Sequence, residues 1–458
     1  MSRSFAVAIL ILTTAVCGTQ GQEPLSSTEV NRSCPIASDS AWTPQEQFVW
    51  SQLCISGIAE LKKSSAPSTD LRAAFLETIL LNDKYRTLLS RRGVRIIGAN
   101  FVDTVRLENV DINHDLWLQD SSLPGGADLV GMRSAHTIAF ERCKIGRRLD
   151  ANVLSVVGSL LLRESEFQEI QLEEAQVGKN LDLSGSKVTD LLDLSSARIS
   201  GQLDLGRSTV AGKLDSENIE VGNTMFLGSG AKFQGPVDLS GAKIKNDLIF
   251  AGGIFSNEIN LDRAQVGGKF VINARSVPTA ISLSNFSFGS VDAGYDPLAT
   301  LRQLMTVNQR YEPTLYDRFA KSYVEIPDVA RSLAIEKYNA EFRHSDSVSE
   351  RVFLFSAWMF WGYGYRPQYL VWWVAAFACC CALIFKTGER NLLRGDRPDS
   401  WLVFAIDAAV PGIHLNKEHE KIRFSDWRQS VLYYLRFSGA ILVYVGFEYI
   451  KQSAGGAK

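Results

Sequence analysis

The chain has 458 residues and a formal net charge of −2, with 46% hydrophobic and 21% charged residues. This composition can fill a folded core, which argues against a disordered chain. The charge balance argues against a protein whose main partner is nucleic acid, because no excess of Lys and Arg is available to neutralise phosphates.

The first 21 residues have the pattern of a secretory signal peptide. Arg3 precedes an uncharged run whose apolar centre spans only residues 5–12, which is too short to cross a bilayer. Several small residues follow, and residues 19–21 offer a cleavage site. We therefore expect residues 1–21 to direct export and to be removed, with an uncleaved N-terminal anchor as the alternative.

Residues 22–93 are expected to form a helical N-terminal cap. Thr43 is a suitable N-cap, Pro44 suits the first helical position, and Glu46 completes a capping box. Apolar residues at helical spacing follow, and a second helix with one apolar face is expected to begin near Asp70.

An eleven-residue repeat across residues 94–290 is the strongest pattern in the sequence. Each unit usually has a small residue, one spacer, a β-branched or aromatic residue, three spacers, and two apolar residues one position apart. A single short strand of this kind cannot bury its apolar face, so the units must stack on one another. Successive units begin at Ala175, Ser186, Ala197, Ser208, Ile219, Ala231, Ala242, Gly253 and Ala264.

The repeat predicts a mainly β fold, namely a single-stranded β-solenoid (β-helix) built from half-coils of about eleven residues. Two units then make one coil, and three-sided coils are the alternative. With coils about 4.8 Å apart, about eight or nine coils would form a rod on the order of 40 Å long.

One strand position, between the two apolar residues, carries aspartate in five units. If two units make one coil, these carboxylates stack as ladders that could bind calcium or basic glycan groups. A solvent-facing position that needs only a polar side chain is favoured, because later units place Phe226, Ile249 and Val271 there. The aspartates are Asp182, Asp193, Asp204, Asp215 and Asp238.

No motif indicates a catalytic, cofactor-binding or metal site, and we assign none of them. A glycan-active enzyme on a solenoid would need acidic and basic residues clustered beside a groove. The available basic residues, which no spacing places beside the aspartates, are Arg106, Arg147, Arg148 and Arg163.

The seven cysteines show no Cys/His ligand pattern. In an exported protein Cys34 and Cys54 could form a disulfide, which their spacing alone does not establish. The consecutive cysteines at positions 379–381 lie in an apolar run, and we interpret them as small apolar filler rather than reactive thiols.

The C-terminal part predicts helices and a membrane anchor. Residues 291–366 are expected to be helical and could cap the open end of the solenoid. Apolar runs with flanking aromatic residues predict transmembrane helices at 367–386 and 431–450. Eight Lys and Arg residues, from Lys386 at the end of the first segment to Arg428, lie between the uncharged centres of the two segments, which places the connecting loop, residues 387–430, in the cytoplasm.

Within that loop, residues 401–415 predict an interfacial or re-entrant helix. Asp407 lies in this apolar segment, where a carboxylate is costly unless it has a partner. A functional site or a partner-docking element is one interpretation, and an ordinary amphipathic interface helix is the other.

Several segments resemble one family of bacterial membrane proteins with pentapeptide-like solenoid ectodomains. The resemblance covers nearly the whole mature chain and implies a solenoid held at the bacterial inner membrane, with its repeat domain in the periplasm. Some members are labelled membrane-associated oxidoreductases, although this sequence has no flavin, nicotinamide or dithiol motif. The segments are Thr43–Trp50, Phe75–Thr78, Gly93–Ala99, Tyr295–Ala299, Gly362–Pro367 and Phe404–Pro411.

We therefore expect a membrane-anchored periplasmic solenoid that acts as a non-catalytic binding or scaffolding protein, since long repeat surfaces recognise extended partners. The expected partners are the lipid bilayer and an extended glycan or protein on the solenoid face, with no nucleic acid, no cofactor and an open oligomeric state. The alternatives are a membrane-associated oxidoreductase, a glycan-active β-helix enzyme, and a channel or signalling regulator that uses Asp407.

Overall fold

The residues that the computed structural model describes are 34, 38–63, 68–366, 368–389, 392–394, 397–409 and 416–438. The predicted signal peptide, residues 1–21, and residues 439–450 of the second predicted transmembrane helix lie outside them. The described fold is a mainly β parallel solenoid of about nine turns with flanking helices, as the repeat predicts.

Each regular coil of the solenoid takes 22 residues and contains four short strands. Asp111 pairs with Arg133, and Arg133 pairs with Ser155, all in parallel. Two eleven-residue units therefore make one coil, which confirms the first of the two predicted arrangements. Neighbouring coils are joined along two sheets, one of 18 and one of 16 strands within the described residues.

The strands of the two sheets alternate in pairs along the chain. The first sheet contains Ile58–Glu60, Val94–Ile97, Asp111–Ile112, Leu116–Gln119, Arg133–Ser134, Ile138–Glu141, Ser155–Val156, Leu160–Leu161, Gln176–Val177, Leu181–Asp182, Arg198–Ile199, Leu203–Asp204, Glu220–Val221, Met225–Phe226, Lys243–Ile244, Leu248–Ile249, Gln265–Val271 and Ser287–Asp292. The second contains Asp70–Leu71, Asn100–Phe101, Val105–Arg106, Ser122–Leu123, Ala127–Asp128, Lys144–Asp150, Glu166–Gln171, Lys187–Val188, Leu191–Asp193, Thr209–Val210, Lys213–Asp215, Lys232–Phe233, Val237–Asp238, Ile254–Phe255, Glu258–Asn260 and Ala280–Ser282.

The core of the solenoid is a set of apolar columns that run from coil to coil. In one column five residues follow one another in register, and none of them is more than 1% exposed. Burial of each such side chain stabilises the fold by about 1.5–3 kcal/mol, which a single coil could not achieve alone. The residues of this column are Leu181, Leu203, Met225, Leu248 and Phe270.

Left-handed corners set the eleven-residue period. At nearly every eleventh position one residue has φ between 48° and 84°, a conformation that glycine adopts freely and most other residues adopt at a cost. The corner residues are Asn109, Asp120, Gly131, Arg142, Val153, Glu164, Glu174, Gly185, Ser196, Arg207, Asn218, Ser229, Gly241, Gly252, Arg263 and Asn285.

The N-terminal cap contains the helices α1 (Pro44–Ser56), α2 (Ala73–Leu81) and α3 (Asp83–Arg86). The predicted capping box of α1 is present, because the Thr43 hydroxyl accepts from the Glu46 amide at 3.3 Å and the Glu46 carboxylate accepts from the Thr43 amide at 2.8 Å. The second predicted helix is α2. It begins at Ala73, whereas Asp70 lies in the two-residue strand that precedes it.

The helices α4 (Pro297–Val307), α5 (Pro313–Ser322) and α6 (Pro327–His344) follow the last coil. The backbone amide of Val291 donates to the Ser322 hydroxyl at 3.1 Å. Because α5 satisfies strand-edge groups in this way, these helices cap the open end of the solenoid, as predicted for this segment.

Within the described residues, four further helices follow: α7 (Val348–Trp361), α8 (Gln368–Thr387), α9 (Trp401–Ala409) and α10 (428–438). A short antiparallel pair, Leu392–Arg394 with Arg423–Phe424, lies between them in the chain. The helix α8 coincides with the first predicted transmembrane segment to within one residue at each end. Among the described helices, none combines the length and apolar character needed to cross a membrane.

Candidate functional site

A groove of about 710 Å³ lies where α2 packs against the first coils, and we call it the charged groove. Glu77 of α2 lines one wall, and Asp103, Arg106 and Arg147 of the solenoid line the other parts. The amide of Arg106 donates to the Glu77 carboxylate at 3.3 Å, which ties the helix to the coil at this point.

A β-bulge brings one of the predicted basic residues, Arg147, to this groove. The strand Lys144–Asp150 pairs regularly until Ile145, and its register shifts before Arg148. The extra residue of a bulge redirects the neighbouring side chains. Arg147 therefore lines the charged groove, while the Arg148 guanidinium forms an ion pair of 3.0 Å with the Asp150 carboxylate.

Acidic residues stack beside these arginines in successive coils. Arg106 pairs in register with Asp128, and Asp128 pairs with Asp150. The Glu108 carboxyl is hydrogen-bonded to Asp128, and this contact, together with the Asp128 charge, raises the pKa of Glu108 above its ordinary value. Arg106 opposes the effect by favouring the charged form of Glu108. The site therefore combines guanidinium donors with neighbouring carboxyl groups.

The structure thus clusters three of the four predicted arginines with acidic groups, which spacing alone did not reveal. Arg163 lies apart from the other three, in the turn after a strand of the first sheet. There its guanidinium forms an ion pair with Glu141, which also accepts from the Trp117 indole at 3.1 Å. The Arg95 guanidinium lies over the Trp117 ring at 4.7 Å and completes a separate surface network.

The predicted aspartate ladders are present, and they form the two rows expected when two units make one coil. Asp182 pairs in register with Asp204 on the first sheet, and Asp193 pairs with Asp215 on the second. Asp238 follows Asp215 in the second row. Phe226, Ile249 and Val271 continue the first row alone. These apolar residues therefore indicate a position without a specific requirement for aspartate in the first row only.

These aspartates also have a structural role that the sequence analysis did not assign. One carboxylate oxygen of each accepts from the backbone amide two residues later, which forms an Asx turn at the end of the strand. The aspartates therefore do more than keep this position polar, because their carboxylates also shape the turn. No group of three or more His, Cys, Asp and Glu residues in the described part of the chain is arranged to hold a metal ion. The donor residues are Ser184, Ser195, Gly206, Glu217 and Ser240, at distances between 2.7 and 3.3 Å.

The cysteines fall into two groups. Cys34 and Cys54 are joined in the structure, with their Cα atoms 5.7 Å apart, a separation that a disulfide accommodates. Cys143 is a free thiol, and burial raises its pKa to about 12, which makes it a poor nucleophile. Cys379 and Cys380 are exposed along α8, whereas Cys381 is buried.

Asp407 has a partner that the sequence did not indicate. Its carboxylate lies 2.8 Å from Nδ1 of His419, and both side chains are at least 93% buried. The pair lies in a second apolar cluster that includes Phe404, whose ring meets the His419 ring edge to face. The first part of the predicted interfacial helix is α9, and residues 410–415 lie outside the described residues.

The fold and the groove define a parallel β-solenoid protein with flanking helices and a groove lined by charged residues. No family model, no curated protein and no solved structure matches the chain significantly. The solenoid is compatible with a pentapeptide-like repeat ectodomain, which is the coarser part of the resemblance described above.

Proposed function

We propose that the protein is a membrane-attached, exported solenoid that binds an extended polar polymer such as a glycan strand without cleaving it. The observation that carries this proposal is a polar stripe on the second sheet. In nine successive coils the same strand position is polar, and the row begins at the charged groove. The polar stripe consists of Arg106, Asp128, Asp150, Gln171, Asp193, Asp215, Asp238, Asn260 and Ser282.

The polar stripe suits a long partner because its groups repeat at a constant spacing. Coils about 4.8 Å apart place nine such groups on a line on the order of 40 Å long. The first sheet offers no equivalent, since Trp117, Leu161, Phe226, Ile249 and Val271 interrupt the corresponding row. Hydroxyl or amino groups of a polymer could donate to these carboxylates, of which Asp215 also pairs with Lys213 and Asp150 with Arg148.

Attachment to a membrane is supported by the exposed apolar residues of the C-terminal helices. On α7, Phe353 and Trp358 are 68% and 45% exposed, and on α8, Trp372 and Leu383 are 73% and 65% exposed. Large exposed apolar patches mark contact with a membrane or a partner, and exposed tryptophans suit the membrane interface. Export is supported by the Cys34–Cys54 pair, because such bonds persist in oxidising compartments.

The binding proposal is tested by removing charge from the polar stripe without disturbing its turns. Asparagine keeps the oxygen that accepts from the backbone amide, so the triple variant D193N/D215N/D238N should fold normally. It should bind purified glycan strands at least tenfold more weakly than the unchanged protein, since charge-assisted hydrogen bonds are the stronger ones. The matched control, D182N/D204N on the first sheet, should bind as the unchanged protein does.

These binding measurements use the full chain in a neutral detergent, and far-UV circular dichroism verifies the fold of each variant. Equal binding by the triple variant and the control would contradict the proposal. Photo-cross-linking from position 215 in native membranes would then identify whichever partner contacts the stripe. Flotation with liposomes tests the attachment separately, because replacing Trp372 by Ser should release part of the protein from the vesicles.

A glycan-active enzyme is the second candidate, and the Glu108–Asp128 carboxyl pair beside Arg106 favours it. Glycosidases use a pair of carboxyl groups. Asp128 raises the pKa of Glu108, whereas the polar stripe extends over nine coils, and this length favours binding over hydrolysis. Release of reducing ends from a glycan by the purified protein, lost in Glu108→Gln, would reverse that preference.

A further inference from the structure

The C-terminal cap encloses a second cavity of about 540 Å³, which we call the cap cavity. It lies between α4, the segment that joins α4 to α5, and α6. Its lining includes Arg302 on α4, Arg310 and Tyr311 in the connecting segment, and Arg343 and His344 at the end of α6. The cavity is remote in sequence from the charged groove and has no part in the polar stripe.

The cap cavity carries an excess of positive charge. Arg302 forms an ion pair with Glu336, a carboxylate on the cavity wall. Arg310 is 71% exposed, and its guanidinium is 3.9 Å from Asp262, a distance at the limit of an ion pair. The Nε of Arg343 donates to a backbone carbonyl at 3.2 Å, and its terminal nitrogens have no carboxylate within 4 Å among the described residues. The Arg343 guanidinium therefore remains available to an anion, and the exposed Arg310 guanidinium could exchange its long contact with Asp262 for one with an anion.

Two polar atoms of lining residues are buried without a hydrogen-bond partner: the side-chain oxygen of Asn308 and the hydroxyl of Tyr311. Buried polar groups nearly always have partners, and leaving one unpaired destabilises the fold. Burial raises the pKa of Tyr311, so its hydroxyl keeps the proton and can donate it. A ligand or ordered water would satisfy the Asn308 oxygen by donating to it.

The His344 ring also lines the cap cavity, and its contacts with Ala340 and Tyr311 fix its orientation. Its Nδ1 lies 2.9 Å from the carbonyl oxygen of Ala340, so Nδ1 carries the proton and Nε2 of the neutral ring is an acceptor. The ring stacks on Tyr311 with centroids 4.5 Å apart and an angle of 3° between the planes. The stack fixes both side chains on one wall of the cap cavity.

We propose that the cap cavity binds a phosphate group carried on a small hydroxylated molecule. Arg310 and Arg343 would donate to the phosphate oxygens, for which the guanidinium fork is well suited. Asn308 and Glu336 would accept from hydroxyl groups of the same ligand. A plain carboxylate would leave these acceptors unused, and so the combination of donors and acceptors favours a phosphorylated polyol.

Such a phosphate can come from a soluble molecule or from the headgroup of an anionic glycerophospholipid. The second source rests on the proposed membrane attachment. It is consistent with the position of the cavity, because His344 ends α6 and α7 begins four residues later with the exposed side chains Val348 and Val352.

The experiment uses the full chain in neutral detergent, titrated calorimetrically with glycerol 3-phosphate, inorganic phosphate and glycerol. In parallel, the protein is floated with vesicles of phosphatidylcholine alone or with added phosphatidylglycerol. Arg343→Gln should weaken phosphate-dependent binding about tenfold or more, since it removes a charged hydrogen-bond donor. Arg331→Gln is the matched control, because Arg331 lies on the same helix and outside the cavity lining.

Binding of glycerol 3-phosphate that is weakened by R343Q and unchanged by R331Q would support a soluble ligand. An effect of R343Q confined to phosphatidylglycerol vesicles would support a lipid headgroup. Equal binding by the unchanged protein, R343Q and R331Q in every arm would overturn the proposal. If R343Q folds poorly, the exposed Arg310→Gln provides the same comparison. Flotation with phosphatidylcholine alone measures attachment of the protein through its exposed apolar residues. Failure of the proposed membrane attachment is therefore distinguished from failure of phosphate binding.

Discussion

Gly212→Ala is expected to destabilise the solenoid strongly, because the chain leaves no space for a methyl group there. A Cβ at position 212 would lie 1.4 Å from the carbonyl oxygen of Asp190 in the preceding coil. The backbone of Gly212 has no left-handed φ, so the effect is steric and separate from the corner conformation. An ordinary contact begins near 3.4 Å, and the two coils would therefore have to separate by about 2 Å at this point.

That separation cannot be absorbed without losing hydrogen bonds between the coils. The neighbouring amide of Ala211 donates to the carbonyl oxygen of Val188 at 2.8 Å, and a shift of this size would break the bond. An unsatisfied buried backbone group costs about 1–3 kcal/mol, and overpacking costs a further 1–3 kcal/mol. We therefore expect the free energy of unfolding to fall by about 3 kcal/mol or more.

Gly206→Ala is the matched control for this variant. Both changes restrict the unfolded chain equally, so the difference between them isolates the contact in the folded state. A Cβ at position 206 would first meet the flexible carboxylate of Asp204, at 3.0 Å. Urea unfolding of the full chain, followed by circular dichroism, gives the comparison. If Gly212→Ala and Gly206→Ala differ by less than about 0.5 kcal/mol, the packing argument is wrong.

Three further changes test other parts of the structure. Cys54→Ser should lower the stability of the oxidised protein by about 3 kcal/mol, as expected for a 20-residue separation, and have little effect after reduction. Glu174→Asn should raise the melting temperature slightly, by relieving about 0.5–1 kcal/mol of corner strain at φ 55°. Asp128→Asn should lower the pKa of Glu108 toward its ordinary value, measured by carbon NMR of the carboxyl groups.

The sign of the last effect follows from linkage. Since the folded protein raises the pKa of Glu108, this group favours the folded state at pH values below its unfolded pKa, and the contribution is lost as the pH rises through the folded value. Asp128→Asn should flatten that dependence. An unchanged Glu108 titration would argue against the contact. If Cys54→Ser is as stable as the oxidised unchanged protein, the expectation about the disulfide is wrong. If Glu174→Asn is less stable than the unchanged protein, the expectation about corner strain is wrong.

The stacked architecture followed from local patterns in the chain. The eleven-residue period predicted the parallel solenoid, and the residues around Thr43 predicted the capping box. The apolar run after residue 367 predicted a transmembrane helix; a helix is present at Gln368–Thr387, but no helix in the described part of the chain is long and apolar enough to cross a membrane. These features depend on neighbours within one or two coils, and so periodicity and capping preferences contain most of the information about them. The register of the two aspartate rows also followed, once two units were taken as one coil.

The sites depended on contacts between distant segments, which no spacing rule contains. Arg147 reaches the charged groove because a bulge shifts the register before Arg148 and because α2 packs over that coil. His419 meets Asp407 only after a helix and a turn dock against α8. In each case the position of a side chain is set by how two elements pack, and packing is decided by the shape of the whole core rather than by local preference.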